Sequence, residues 1–119
     1  MRPTWYEIPV NDVEVSKKFY AKVLGWDYDV MSEMTFFKDE AGPFGHFWPA
    51  KQLPHKGKLP KYPQVMGYYE VKSIATVLGK VGKNGGTVVQ PKSKLPGGMG
   101  SIAVFSDPIG VIWGLHSQK

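Results

Sequence analysis

Glu7-Ile8-Pro9-Val10-Asn11-Asp12, followed after a short interval by Phe19-Tyr20-Ala21-Lys22-Val23-Leu24-Gly25-Trp26, reads as a strand running into a helix. Tyr6, Ile8 and Val10 alternate with Trp5, Glu7 and Pro9, the two-residue period of a strand. Asn11 or Asp12 supplies an N-cap, and Glu14 stands three residues after Asn11 in a capping-box-like arrangement. In the helix that follows, Ser16, Phe19, Tyr20, Val23 and Leu24 share one face. Glu14, Lys17, Lys18 and Lys22 lie elsewhere, so the helix is amphipathic. Gly25 stops it where a left-handed residue is needed.

Three short apolar runs come next, around Trp26 to Val30, Met34 to Phe37 and Phe44 to Trp48, with turn chemistry at Ser32-Glu33 and Asp39-Glu40-Ala41-Gly42-Pro43. They predict an antiparallel meander. Residues 50–63 are rich in proline and lysine and show no periodicity, which marks a linker. The plan then repeats. Val65 to Val71 reads as a strand, Ser73 caps a helix to about Lys83, and Asn84-Gly85-Gly86 stops it. Thr87 to Gln90, Ser101 to Phe105 and Val111 to Leu115 read as strands. Setting Val10 on Val71 places Gly25 on Gly86 and Asp12 on Ser73, and the Gly42-Pro43 turn matches Pro108-Ile109-Gly110. The chain is an internal repeat of two units, 3–49 and 64–117, within one α+β domain.

Composition narrows the chemistry. At 119 residues one core is expected, and four Trp, six Phe and six Tyr must supply much of its packing. The absence of cysteine removes disulfides, a thiolate nucleophile and thiolate metal ligands. No run of about 18 apolar residues and no leader-like start is present, so a soluble, cytoplasmic protein without membrane association is expected. The net charge of +5 is densest at Lys51, Lys56, Lys58 and Lys61, in the linker. No nucleic-acid-binding motif accompanies it, and no nucleic-acid partner is expected.

Three stretches together resemble the glyoxalase/bleomycin-resistance (vicinal oxygen chelate) superfamily over nearly the whole chain. They are the strand and helix quoted above, Val81 to Val88 with Asn84-Gly85-Gly86-Thr87-Val88 at its turn, and Phe105-Ser106-Asp107-Pro108-Ile109-Gly110-Val111-Ile112 before the last strand. Each alone is generic turn chemistry; their order and spacing are not. The resemblance implies two tandem βαβββ modules whose curved sheet encloses a ligand cavity, a homodimer, and metal ligands on the first and fourth strand of each module. Carried over residue by residue, those positions fall on Trp5, His46, Met66 and Gly114. Only His46 is a ligand for a hard divalent ion, so no resident metal or other cofactor is expected. A displaced metal site is the minor alternative, drawing on His46, Glu7 and one more group, with Glu70 and His116 also two residues from expected positions.

The residues assigned to the cavity face are Trp5, Phe44, Trp48, Met66, Tyr68, Glu70, Ile112, Gly114 and His116, with Glu7 and His46 as candidate acid and base. Glu7 is the more telling of the pair, because a carboxylate in an apolar first strand must find a partner or water. Two readings stand open. One is a metal-free cavity that binds a small molecule with an aromatic part; the other is a lyase, isomerase or dioxygenase that uses Glu7 and His46 or the displaced metal. Leu95-Pro96-Gly97-Gly98-Met99-Gly100 opens no helix and lacks a following Lys-Ser/Thr, so it is read as a flexible loop rather than a phosphate-binding loop.

Overall fold

A computed structural model describes residues 1–49 and 64–119. The linker expected at 50–63 lies outside the described residues. Strand β1 (Trp5–Val10), helix α1 (Val13–Leu24) and strands β2 (Asp27–Met31), β3 (Met34–Asp39) and β4 (Gly42–Pro49) form the first module. Strand β5 (Met66–Glu70), helix α2 (Ile74–Lys83) and strands β6 (Thr87–Lys94), β7 (Ser101–Ser106) and β8 (Ile112–Ser117) form the second. Both helix starts are capped as the sequence predicts: the Asp12 carboxylate accepts from the Val15 amide and the Ser73 hydroxyl oxygen from the Thr76 amide. Gly25 closes α1 in the left-handed region, at φ 73°. Ser32 and Glu33 both have positive φ, which gives the β2–β3 hairpin the turn geometry that matches strand twist.

The strands make one eight-stranded sheet in the order β2-β3-β4-β1-β5-β8-β7-β6. Within each module the first and last strands run parallel, β1 beside β4 and β5 beside β8, and β1 meets β5 antiparallel at the centre. There Trp5 opposes Tyr68, Tyr6 opposes Gly67 and Glu7 opposes Met66. Exchanging the modules leaves this register unchanged, so a pseudo-twofold axis passes at the Tyr6–Gly67 pair. The first-strand residues of both modules are therefore neighbours on one face of the sheet. Strand β6 runs to Lys94, beyond the predicted Gln90, because Pro91 lies on the sheet edge and is accommodated at irregular register.

The two helices pack differently. Helix α2 buries Ile74 against Val71, Ala103 and Leu115. Helix α1 buries no residue, and Phe19, Val23 and Leu24 of its predicted inward stripe are each more than half exposed. Trp26 explains the difference. It stacks on Tyr20 at 4.7 Å and on Phe37 at 4.6 Å, so a layer of rings separates the helix from the sheet and only Tyr20 and Val13 of α1 join the core. No helix of the described residues is long and apolar enough to cross a membrane.

Candidate functional site

The register of the central strands assembles the site. Glu7 on β1 pairs with His46 on β4 to one side and with Met66 on β5 to the other, and Trp5 pairs with Tyr68. Trp5 Nε1 donates to His46 Nδ1 at 2.8 Å. An indole nitrogen can only donate, so Nδ1 must be the unprotonated nitrogen and the neutral ring carries its proton on Nε2. That nitrogen lies 3.3 Å from Glu7 Oε1. The same oxygen accepts from the Tyr68 hydroxyl at 3.2 Å. Trp5, His46, Glu7 and Tyr68 thus form a polar chain across three strands. Glu7 is 2% exposed, and these contacts help offset the cost of burying its carboxylate. Burial, reinforced by the charge and hydrogen bond of Glu7, raises the Tyr68 phenol well above the ordinary tyrosine range.

Around His46 the face is aromatic and half-buried. Trp5, Phe36 and Trp48 each hold a ring centroid 6.0 Å or less from the imidazole or from one another. Phe36 was not among the residues predicted from sequence. Its signal was its place opposite His46 in the β3–β4 pairing. Phe44, assigned to this face by counting in twos, packs instead on Trp26 and Phe37 in the cluster beneath α1. The reason is a bulge: Phe37 pairs with Gly45 and Lys38 with Pro43, so Phe44 has no opposite number and the alternation breaks there.

The second module fills the equivalent space with its own side chains. Met66, Tyr68, Val104 and Ile112 are buried together, with Trp5, Val89 and Ile102 packed against them. The Tyr68 ring lies across Gly114, where any Cβ would overlap it. Glu70 and His116 pair with each other, two residues along from Tyr68 and Gly114. His116 Nδ1 lies 2.7 Å from Glu70 Oε2 and Nε2 lies 2.6 Å from the Met99 carbonyl. Partial burial opposes charge on this ring, but the Met99 carbonyl and the Glu70 carboxylate outweigh it and raise the His116 pKa.

These residues do not fit a divalent metal. Of the four positions, Trp5 and Met66 offer no hard donor and Gly114 offers no side chain beneath the Tyr68 ring. At His46, Nδ1 is engaged by Trp5 and Nε2 faces Glu7. Among the described residues no three His, Asp or Glu side chains are grouped to hold an ion. Among the described residues the displaced alternative gathers only pairs, Glu7 with His46 and Glu70 with His116.

The Bleomycin resistance protein-like N-terminal family model matches residues 2–39, which span β1 to β3. The chain is 27% identical over 122 aligned residues to CFP32 of Mycobacterium bovis, a protein whose name assigns it provisionally as a glyoxylase. That match covers 95% of this chain and 44% of the relative, so the chain spans less than half the length of the curated relatives it matches. Among solved structures, a glyoxalase/bleomycin resistance protein/dioxygenase superfamily member from Vibrio splendidus superposes with a TM-score of 0.65 at 15% identity, covering 95% of this chain and 96% of that one. The Mn(II)-bound glyoxalase from Novosphingobium aromaticivorans gives a TM-score of 0.66 at 18% identity, over 98% of this chain and 38% of that one. A NAD-dependent benzaldehyde dehydrogenase structure from Legionella pneumophila gives 0.67 at 17% identity, over 97% and 98%. In sequence the first module is similar to the bleomycin resistance protein-like N-terminal family, and the whole chain shares its fold with solved structures of the glyoxalase/bleomycin resistance/dioxygenase superfamily.

Proposed function

We propose that the protein binds a small molecule with a flat aromatic part on the first-module side of its sheet, without a metal ion. The observation that carries this reading is the contrast between the two modules on one face. Around His46 the rings of Trp5, Phe36 and Trp48 remain partly exposed, whereas the matching region of the second module is closed by Met66, Tyr68 and Ile112. Partly exposed aromatic rings next to a fixed polar chain favour stacking with a flat ligand and one oriented hydrogen bond.

The test is a titration with indole, quinoline and 2-naphthol, followed by NMR in buffer containing a chelator. Saturable shifts at the Trp5 and Trp48 indole N–H signals and at His46, lost in Trp48→Ala, are the expected result. Shifts confined to other regions, or binding that requires added Mn²⁺ or Zn²⁺, would overturn the reading.

Acid–base catalysis by Glu7 and His46 is the second reading, favoured by their 3.3 Å approach. It needs His46 to release its bond from Trp5 before Nδ1 can take a proton. Given a substrate, Glu7→Gln with retained fold and unchanged turnover would remove it.

A further inference from the structure

A second site lies on the opposite half of the sheet, at its β6 edge. Lys92, Lys94, Gly98, Ser101, Gln118 and Lys119 line a cleft of ≈ 530 Å³, a size suited to a small metabolite. Lys92 and Lys94 flank Ser93 on β6, just beyond the irregular register that follows Gln90, and both border the cleft. No carboxylate of the described residues lies within 4.0 Å of any of the three ammonium groups. The three lysines leave the cleft positive. Glu70, the acidic side chain fixed beside the loop, is engaged by His116.

The wall formed by the glycine loop is built rather than loose. The Leu95 amide donates to the Gly100 carbonyl at 2.8 Å, and the Met99 carbonyl is held by His116 at 2.6 Å. Gly100 sits so close to the Ser117 carbonyl that a Cβ would overlap it. At Gly98, by contrast, a Cβ would meet open space, and φ +70° favours glycine there. The loop is thus pinned to β8 while its tip leaves the cleft clear, so little ordering is needed when a ligand enters.

We infer that this cleft binds a phosphate-bearing small molecule, with Lys92, Lys94 and Lys119 neutralising the phosphate and the exposed Gln118 amide available as a neutral donor. Ammonium groups around a cleft attract a multiply charged anion more strongly than a carboxylate, since each adds a charge-assisted contact. The site is independent of the aromatic face around His46.

The experiment is calorimetric titration of the full chain with sodium pyrophosphate at fixed ionic strength, alongside a co-sedimentation assay with phosphatidic acid vesicles. Saturable 1:1 binding of pyrophosphate is expected, weakened at least about tenfold in Lys92→Ala/Lys94→Ala. Both lysines are exposed on an edge strand, so the variant should keep the wild-type melting temperature. Unchanged affinity in that variant, absence of saturable binding to the wild type, or binding to vesicles alone would each overturn the proposal.

Discussion

Trp5 fixes the tautomer of His46. Its indole N–H occupies Nδ1 at 2.8 Å and leaves the imidazole proton on Nε2, facing Glu7. Trp5→Phe keeps an aromatic ring in place and removes the donor, so it separates packing from hydrogen bonding. We expect a loss of about 1 kcal/mol in stability. The more specific readout is the pair of imidazole ¹⁵N shifts, which should change from a fixed Nε2–H pattern to a tautomer mixture. An unchanged pattern in Trp5→Phe would show that Glu7 alone selects the tautomer.

Tyr68 reaches across the module boundary to Glu7, and both groups are buried. Its phenol should therefore remain protonated at alkaline pH where exposed tyrosines ionise near 10. An ultraviolet titration should show a tyrosine that does not ionise until the protein unfolds. Tyr28 is also shifted upward by burial, so the assignment rests on Tyr68→Phe, which should delete one late-titrating group. The same variant strips a donor from a buried carboxylate and should cost about 1–3 kcal/mol. A Tyr68→Phe protein with wild-type stability would mean that Glu7 draws its stabilisation from its other contacts.

Gly114 lies beneath the Tyr68 ring, and that ring explains why no side chain stands there. Gly114→Ala forces a methyl into that ring and should destabilise the fold by about 1–3 kcal/mol. Tyr68→Ala should relieve most of the added strain, which makes the pair strongly non-additive in a double-mutant cycle. Additive effects would place the Gly114 requirement in the backbone rather than in the ring.

How far the sequence revealed this site depended on the kind of regularity involved. Placing Val10 on Val71 and Gly42 on Gly110 carries the Glu7–His46 pair onto Tyr68 and Gly114, and the sheet pairs both sets. Periodicity and turn chemistry therefore carried the fold, the helix caps and the neighbours on β1, β4, β5 and β8. Phe44 went to the wrong face because one bulged residue reverses alternation and leaves no mark in the pattern. The inward stripe of α1 failed for a different reason: Trp26 filled the space beneath it, and no helical period records the thickness of an intervening ring. Glu7 was recognisable as a carboxylate that must find a partner or water. That its partners include Tyr68 is set by tertiary pairing between modules, which local sequence does not encode.

His116 differs from His46 in what surrounds its two nitrogens. Both face acceptors, the Glu70 carboxylate at Nδ1 and the Met99 carbonyl at Nε2, so both contacts are satisfied only when the ring is doubly protonated. Its folded pKa is raised above the unfolded value near 6.5, despite partial burial that works the other way. The stabilisation is therefore fully present below about pH 6.5 and fades as pH rises through the higher folded value. The loop at 95–100 should loosen with it, because Met99 loses one donor only when the ring adopts the Nδ1–H tautomer and Glu70 loses one in the other. Hydrogen exchange across this loop should accelerate as pH rises above about 6.5 by more than the intrinsic base-catalysed rate. His116→Gln should flatten both that excess and the pH dependence of the melting temperature. If the excess persisted in His116→Gln, the loop would be held by the Leu95–Gly100 bond and the close Gly100–Ser117 packing, and His116 would have no part in its pH response.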